Sequence, residues 1–174
     1  MAKFVITAGH GNGDPGAVAG VHTEADLMAE LRDIVAHKLR NAGHEVVTDG
    51  APRQNWALRL ALALIKGREV AVELHMNAST NPLASGVETL SLLKDKALAQ
   101  RISFNIAKVL GIKLRGEGGW LDQVNSHRGR LAFVTAGGII VEVAFISNPD
   151  ELRRYLDRKW TVAGAIVDAL TQGR

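Results

Sequence analysis

Four residues of this chain carry side chains suited to chemistry in surroundings that are otherwise apolar. His10 follows the apolar run 4–8, and His75 closes a second such run that begins near Glu69. Glu24 opens the stretch 23–42, which has the spacing of an amphipathic helix. At about 100° per residue, Met28, Leu31, Val35 and Leu39 form one apolar stripe, with Asp26, Glu30, Asp33, His37 and Arg40 on the other side. Glu24 projects close to the centre of that stripe, beside Leu31 and Val35. A carboxylate aimed at a core is costly unless it is paired or binds a metal, although a helix N-terminus favours an acid in its first turn for its own reasons. Two histidines and a glutamate with a fourth position open form a recognised catalytic zinc arrangement. Glu142 lies inside the apolar run 139–145. A buried glutamate near a metal site suits a general base; the alternative for it is an ion pair with Arg115 or Arg130.

The elements that must position these residues alternate between strand-like and helix-like patterns, which is the mark of an α/β protein. Strands are expected over 3–8, 44–48, 69–76, 86–92, 130–135 and 139–145, and helices over 23–42, 54–66, 94–110 and 161–170. Gly43 suits the position just past the end of the first helix. The result is a twisted, mostly parallel six-stranded sheet flanked by helices on both faces. Nothing in the sequence divides it, so 1–174 is read as one domain. In an open sheet of this kind ligands gather at the carboxyl ends of the strands. His10 and His75 both fall there, at the edge that receives the N-terminus of the first helix.

Composition narrows the chemistry. The chain has no cysteine, so a thiolate metal site, a disulfide and a cysteine nucleophile are all excluded. The formal charge of +3 is a mild basic excess spread along the chain. With three Trp, one Tyr and four Phe, it lacks the stacking platforms of a nucleic-acid groove. No apolar run approaches a membrane span, and the N-terminus reads as too short for a signal-peptide core. Synthesis in the cytoplasm is therefore expected.

Three motifs mislead. The run 11–16 matches G-x-G-x-x-G, but the following helix starts near Thr23 and leaves no N-terminus on a pyrophosphate. Ser126-His127 near Asp122 lacks a nucleophile elbow. The sequon Asn77-Ala78-Ser79 has no meaning without secretion. The other histidines, His22, His37, His44 and His127, are read as satisfied or surface residues, with His22 kept in reserve as a ligand or substrate contact.

Ile6-Thr7-Ala8-Gly9-His10-Gly11-Asn12-Gly13-Asp14-Pro15-Gly16-Ala17 with Glu24 resembles the opening of the zinc-dependent N-acetylmuramoyl-L-alanine amidases of type 3. Leu74-His75-Met76-Asn77-Ala78 followed by Gly86-Val87-Glu88-Thr89 resembles the second block of that family. Val141-Glu142-Val143-Ala144-Phe145-Ile146-Ser147-Asn148-Pro149 resembles the third. The resemblance implies zinc held by His10, Glu24 and His75, with Glu142 as the catalytic carboxylate. The implied substrate is peptidoglycan, cut between the lactyl group of N-acetylmuramic acid and L-alanine. The chain departs from the family in carrying Asp49 after Thr48 where Arg is usual, Glu73 where Ser is usual, and Ala144 where Gly is usual. Glu73 is two residues from His75 and on the same strand face, so it could support that ligand. A short chain with an expected catalytic domain alone is similar to a bacteriophage endolysin, a monomer reaching the cell wall once a holin-type partner has breached the membrane. The alternatives are a zinc carboxypeptidase on a similar fold and a non-catalytic wall-binding protein.

Overall fold

The computed structural model describes residues 1–51, 54, 56, 58–125 and 129–172. The chain opens with β1 (Lys3–Ala8), a glycine-rich loop and a small hairpin of β2 (Val18–Ala19) and β3 (His22–Thr23). Helix α1 (Glu24–Asn41) follows, capped by the Thr23 hydroxyl, which accepts from Asp26 N–H. It ends where expected. Gly43 takes a left-handed conformation, its N–H donates to Arg40 O and the next N–H to Leu39 O, so the last carbonyls are satisfied. Strand β4 (Glu45–Thr48), helix α2 (Leu58–Leu64), strand β5 (Val70–Asn77) and strand β6 (Glu88–Ser91) come next. They are followed by α3 (Lys96–Leu110), β7 (Trp120–Asp122), the single turn α4 (Ala132–Thr135), β8 (Ile139–Phe145) and the long α5 (Pro149–Thr171).

The six longer strands form one sheet in the order β4-β1-β5-β8-β6-β7. β4, β1, β5 and β8 run parallel, while β6 pairs antiparallel with β8 and carries β7 parallel to itself. Six strands were expected, but the segment 130–135 is not one of them. Its consecutive residues Phe133 and Val134 are both buried, and Thr135 N–H and Ala136 N–H close helical bonds to Leu131 O and Ala132 O. The sixth strand is Trp120–Asp122, fixed by pairing with β6. The closing helix begins at Pro149 rather than Thr161, because Asn148 caps it by accepting from Asp150 N–H and Glu151 N–H, with proline at the first helical position.

Alternation along the strands separates two faces. Phe4, Ile6, Val72, Leu74, Val141 and Val143 pack with α1, α3 and α5. Val5, Ala71, Leu90 and Ile140 face the other way, against Phe133 and Val134 of α4 and the α2 side chains Leu62 and Leu64. Glu73 and His75 share a face with Ala71, Glu142 with Ile140, and Glu88 with Leu90, so this second face turns polar toward the strand ends. β1 lies between β4 and β5, and the connections after β1 and β5 part there to leave a crevice.

Candidate active site

The loop after β1 enters that crevice under tight steric control. Gly9 N–H donates to Leu74 O, at 2.8 Å. A Cβ at Gly9 would stand 2.0 Å from the His75 ring, so only glycine lets the imidazole lie there. His10 then adopts φ 64° and Asn12 φ 52°. Left-handed backbone at a residue other than glycine costs of the order of 1–3 kcal/mol and gathers at functional sites. The turn is closed by Gly11 N–H to Asp14 O and Asp14 N–H to Gly11 O. At Gly16, φ 64°, an added Cβ would meet Glu24 Oε2 at 2.7 Å and the His10 ring at 2.8 Å.

Glu24, in the first turn of α1, is 3% exposed. Its Oε1 accepts from Met76 N–H at 3.0 Å and lies 2.9 Å from His75 Nδ1. Its Oε2 accepts from Ala17 N–H at 3.1 Å and lies 3.3 Å from His10 Nε2. The two imidazoles meet edge to face with centroids 5.2 Å apart. His10, Glu24 and His75 thus offer one donor atom each, all within 4.8 Å of one another. Ligands at 2.0–2.1 Å around a tetrahedral ion stand roughly 3.4 Å apart, so this set fits a divalent cation.

The far nitrogens of both rings are also engaged. His10 Nδ1 lies 2.8 Å from Asp14 Oδ2, whose other oxygen accepts from Gly16 N–H. His75 Nε2 lies 3.1 Å from Glu73 Oε1, and Glu73 is 5% exposed. Hydrogen bonding to Glu24 outweighs burial and, with Asp14, lifts His10 to about 9. Burial alone would lower His75, but Glu24, Glu73 and the nearby Glu142 outweigh it and raise the ring to about 10. Burial would likewise raise Glu24; the two histidines reverse that and hold it well below the usual carboxylate range.

Glu142 is fully buried and pairs in register with His75 on one side and Glu88 on the other. Arg115, one of its expected alternative partners, donates from Nε to Glu88 Oε2 at 2.8 Å. Asn77 Nδ2 donates to Glu88 Oε1. A cavity of about 260 Å³ adjoins the cluster, walled by His10, Glu73, His75, Trp56 and Leu58.

The family sequence pattern described as N-acetylmuramoyl-L-alanine amidase, type 3, matches residues 4–172. The chain belongs to this amidase family. Among solved structures, a candidate N-acetylmuramoyl-L-alanine amidase from Neisseria meningitidis is 45% identical at a TM-score of 0.91, over 97% of this chain and 93% of that one. The catalytic domain of the amidase CwlV from Bacillus (Paenibacillus) polymyxa is 26% identical at a TM-score of 0.82, over 99% and 97%. A curated Staphylococcus aureus relative, probable autolysin PH, is 26% identical over 94% of this chain, which spans 38% of that protein.

In this chain His22 is not part of the cluster. It sits on the β2–β3 hairpin and lines a surface cleft with Asp26, Leu27 and Glu30. His44 accepts from Ala2 N–H, and His37 bonds Asn41. Ser126 and His127 lie outside the described residues. Sequence reasoning passed over Asp14 as a histidine partner, and also the fully buried pair Arg32–Asp49, whose Nη1 and Oδ1 are 3.0 Å apart.

Proposed function

We propose that this protein is a zinc-dependent peptidoglycan hydrolase that cuts the amide between N-acetylmuramic acid and L-alanine of the stem peptide, with 1–174 as its catalytic domain. The observation that carries the reading is the meeting of His10, Glu24 and His75 beside Glu142 in a member of the amidase family. Two imidazoles and one carboxylate, in a chain without cysteine, suit zinc with three protein ligands and an open fourth position. Bound there, zinc supplies a Lewis acid for the scissile carbonyl and lowers the pKa of water.

The chain's own groups do the remainder. Backbone N–H groups of Met76 and Ala17 clamp both oxygens of Glu24, so the carboxylate stays aimed at the imidazoles. Glu142, one strand over from His75, takes a proton from the attacking water onto its carboxylate and delivers it to the departing alanine nitrogen. Trp56 and Leu58 give the adjoining cavity an apolar wall against which substrate can rest.

A relative called an autolysin supports a role in wall lysis. The finer form of that role is an endolysin made in the cytoplasm and released to the wall through a holin-type partner. Among the described residues no helix is long and apolar enough to cross a membrane.

The deciding experiment is mass spectrometry of purified muropeptides incubated with the protein, with and without a chelator. Free stem peptide released only in the metal-loaded sample supports the amidase. Release of a single terminal amino acid would identify a carboxypeptidase instead, and wall binding without any product would identify a binding protein. Expression in a bacterial host, with and without added chloroform, tests the lytic role: lysis should follow membrane damage alone.

A further inference from the structure

We infer that Asp14 and Glu73 are positioning residues that fix opposite tautomers in the two metal-binding histidines, so that His10 binds through Nε2 and His75 through Nδ1. The inference rests on the zinc reading above and goes beyond it in assigning the atoms and the residues that select them.

An ionised carboxylate only accepts hydrogen bonds, so a ring nitrogen held against one carries the hydrogen and is closed to a metal. His10 Nδ1 is held by Asp14 at 2.8 Å, and His75 Nε2 by Glu73 at 3.1 Å. That leaves His10 Nε2 and His75 Nδ1, and these are the two nitrogens that face the two oxygens of Glu24. These four contacts therefore agree on the same pair of donor atoms. The supporting carboxylates are themselves placed. Asp14 is tied by Gly16 N–H and by the Gly11–Asp14 bonds of the turn. Glu73 is buried on β5, on the same strand face as the ring it supports.

Glu73 stands where the family resemblance leads one to expect serine. A neutral hydroxyl there would offer a weaker acceptor, whereas a carboxylate makes the imidazole a stronger donor to the metal. Partners of this kind typically change metal affinity by about 10- to 100-fold. This chain thus carries a carboxylate under one ligand where the resemblance leads one to expect a hydroxyl.

The test uses the full chain loaded with zinc. Long-range proton–nitrogen NMR of the wild type should show His10 coordinated at Nε2 and His75 at Nδ1, with protons retained at His10 Nδ1 and His75 Nε2. Competition with a chromophoric chelator should show zinc bound about 10- to 100-fold more weakly by Glu73→Ser and by Asp14→Ala. Glu73→Gln should recover part of the loss, because its amide oxygen still accepts the Nε2 hydrogen. Coordination of His75 through Nε2, or zinc affinity in Glu73→Ser within about twofold of wild type, would overturn the assignment while leaving the zinc site in place. Failure of the wild type to take up zinc would overturn the zinc reading and this inference together. The NMR measurement needs no variant, so it decides the donor atoms even where Glu73→Ser folds poorly.

Discussion

Glu142 and His75 are partners in the parallel pairing of β5 with β8, side by side on one sheet face. Strand geometry, rather than a loop, therefore sets the separation between the proposed base and one proposed ligand. Neighbouring strands lie about 4.8 Å apart, and such a frame holds a catalytic pair more closely than a loop would. Glu88 continues the same row onto β6 and is tied down by Asn77 and Arg115.

Glu142→Gln should consequently retain the fold and full zinc content yet lose turnover by about 10²- to 10⁴-fold, since an amide cannot shuttle the proton. Rates on purified peptidoglycan, measured beside elemental analysis of the same sample, check this. A variant within tenfold of wild type would remove Glu142 from the proton transfer.

Gly9→Ala should be far more damaging than an added methyl group suggests. Its Cβ would occupy the place of the His75 ring, at 2.0 Å, so the imidazole must leave the cluster. Zinc content should fall well below one per chain while far-UV circular dichroism stays close to wild type. Full zinc occupancy in this variant would show that the ring has another way to reach the ion.

Glu24 was legible in the sequence because a helix has a fixed angular period, and a carboxylate on an apolar stripe shows itself without any knowledge of tertiary contacts. Arg32 carried the same signal, four residues after Met28 on that stripe, and it is fully buried against Asp49. The unusual acid after Thr48 was visible too; joining the two would have found the pair. Strands β1, β5 and β8 were legible as apolar runs. Trp120–Asp122 was not, since three residues become a strand only through pairing with β6. The run 131–134 failed for the opposite reason: a short apolar stretch reads alike as strand or helix. Asp14 was hidden because its contact with His10 depends on left-handed backbone at His10, which composition does not announce.

Metal-free protein should lose stability at alkaline pH in a way the zinc-loaded protein does not. His10 and His75 are raised from the ordinary 6.5 to about 9 and about 10 by their carboxylate partners. A raised histidine contributes stability that is complete below its unfolded value and disappears as pH climbs through the folded one. The contribution should therefore decline from about pH 6.5 to about pH 10. Glu24 acts in the opposite sense: its depressed value gives stability that is present above the ordinary 4.5 and is lost as the medium becomes more acid. With zinc in place, two ring nitrogens hold metal instead of protons, and metal binding strengthens as pH rises. Melting temperatures with zinc and with chelator should diverge steadily between pH 6.5 and 10. Parallel curves would contradict the account.

Arg32→Met should cost about 3–5 kcal/mol, the usual penalty for removing one partner of a buried pair. Both Arg32 and Asp49 are 0% exposed, and Asp49 would be left as an uncompensated buried charge. The guanidinium does more than neutralise it. Nη1 also donates to Gln54 O at 2.8 Å and Nη2 to Ala51 O at 3.0 Å, so α1 holds the connection that follows β4. Trp56 N–H donates to Asp49 O, and the Trp56 side chain lines the cavity beside His75. Asp49 also accepts from Ala8 N–H at the end of β1, two residues before His10. The pair therefore braces the end of β1 against the connection that follows β4. Urea denaturation should report the loss, and Asp49→Leu added to Arg32→Met should recover part of it by removing the stranded charge. A single-variant cost below about 1 kcal/mol, the range of exposed ion pairs, would mean that water reaches the site and that the pair is not the brace described.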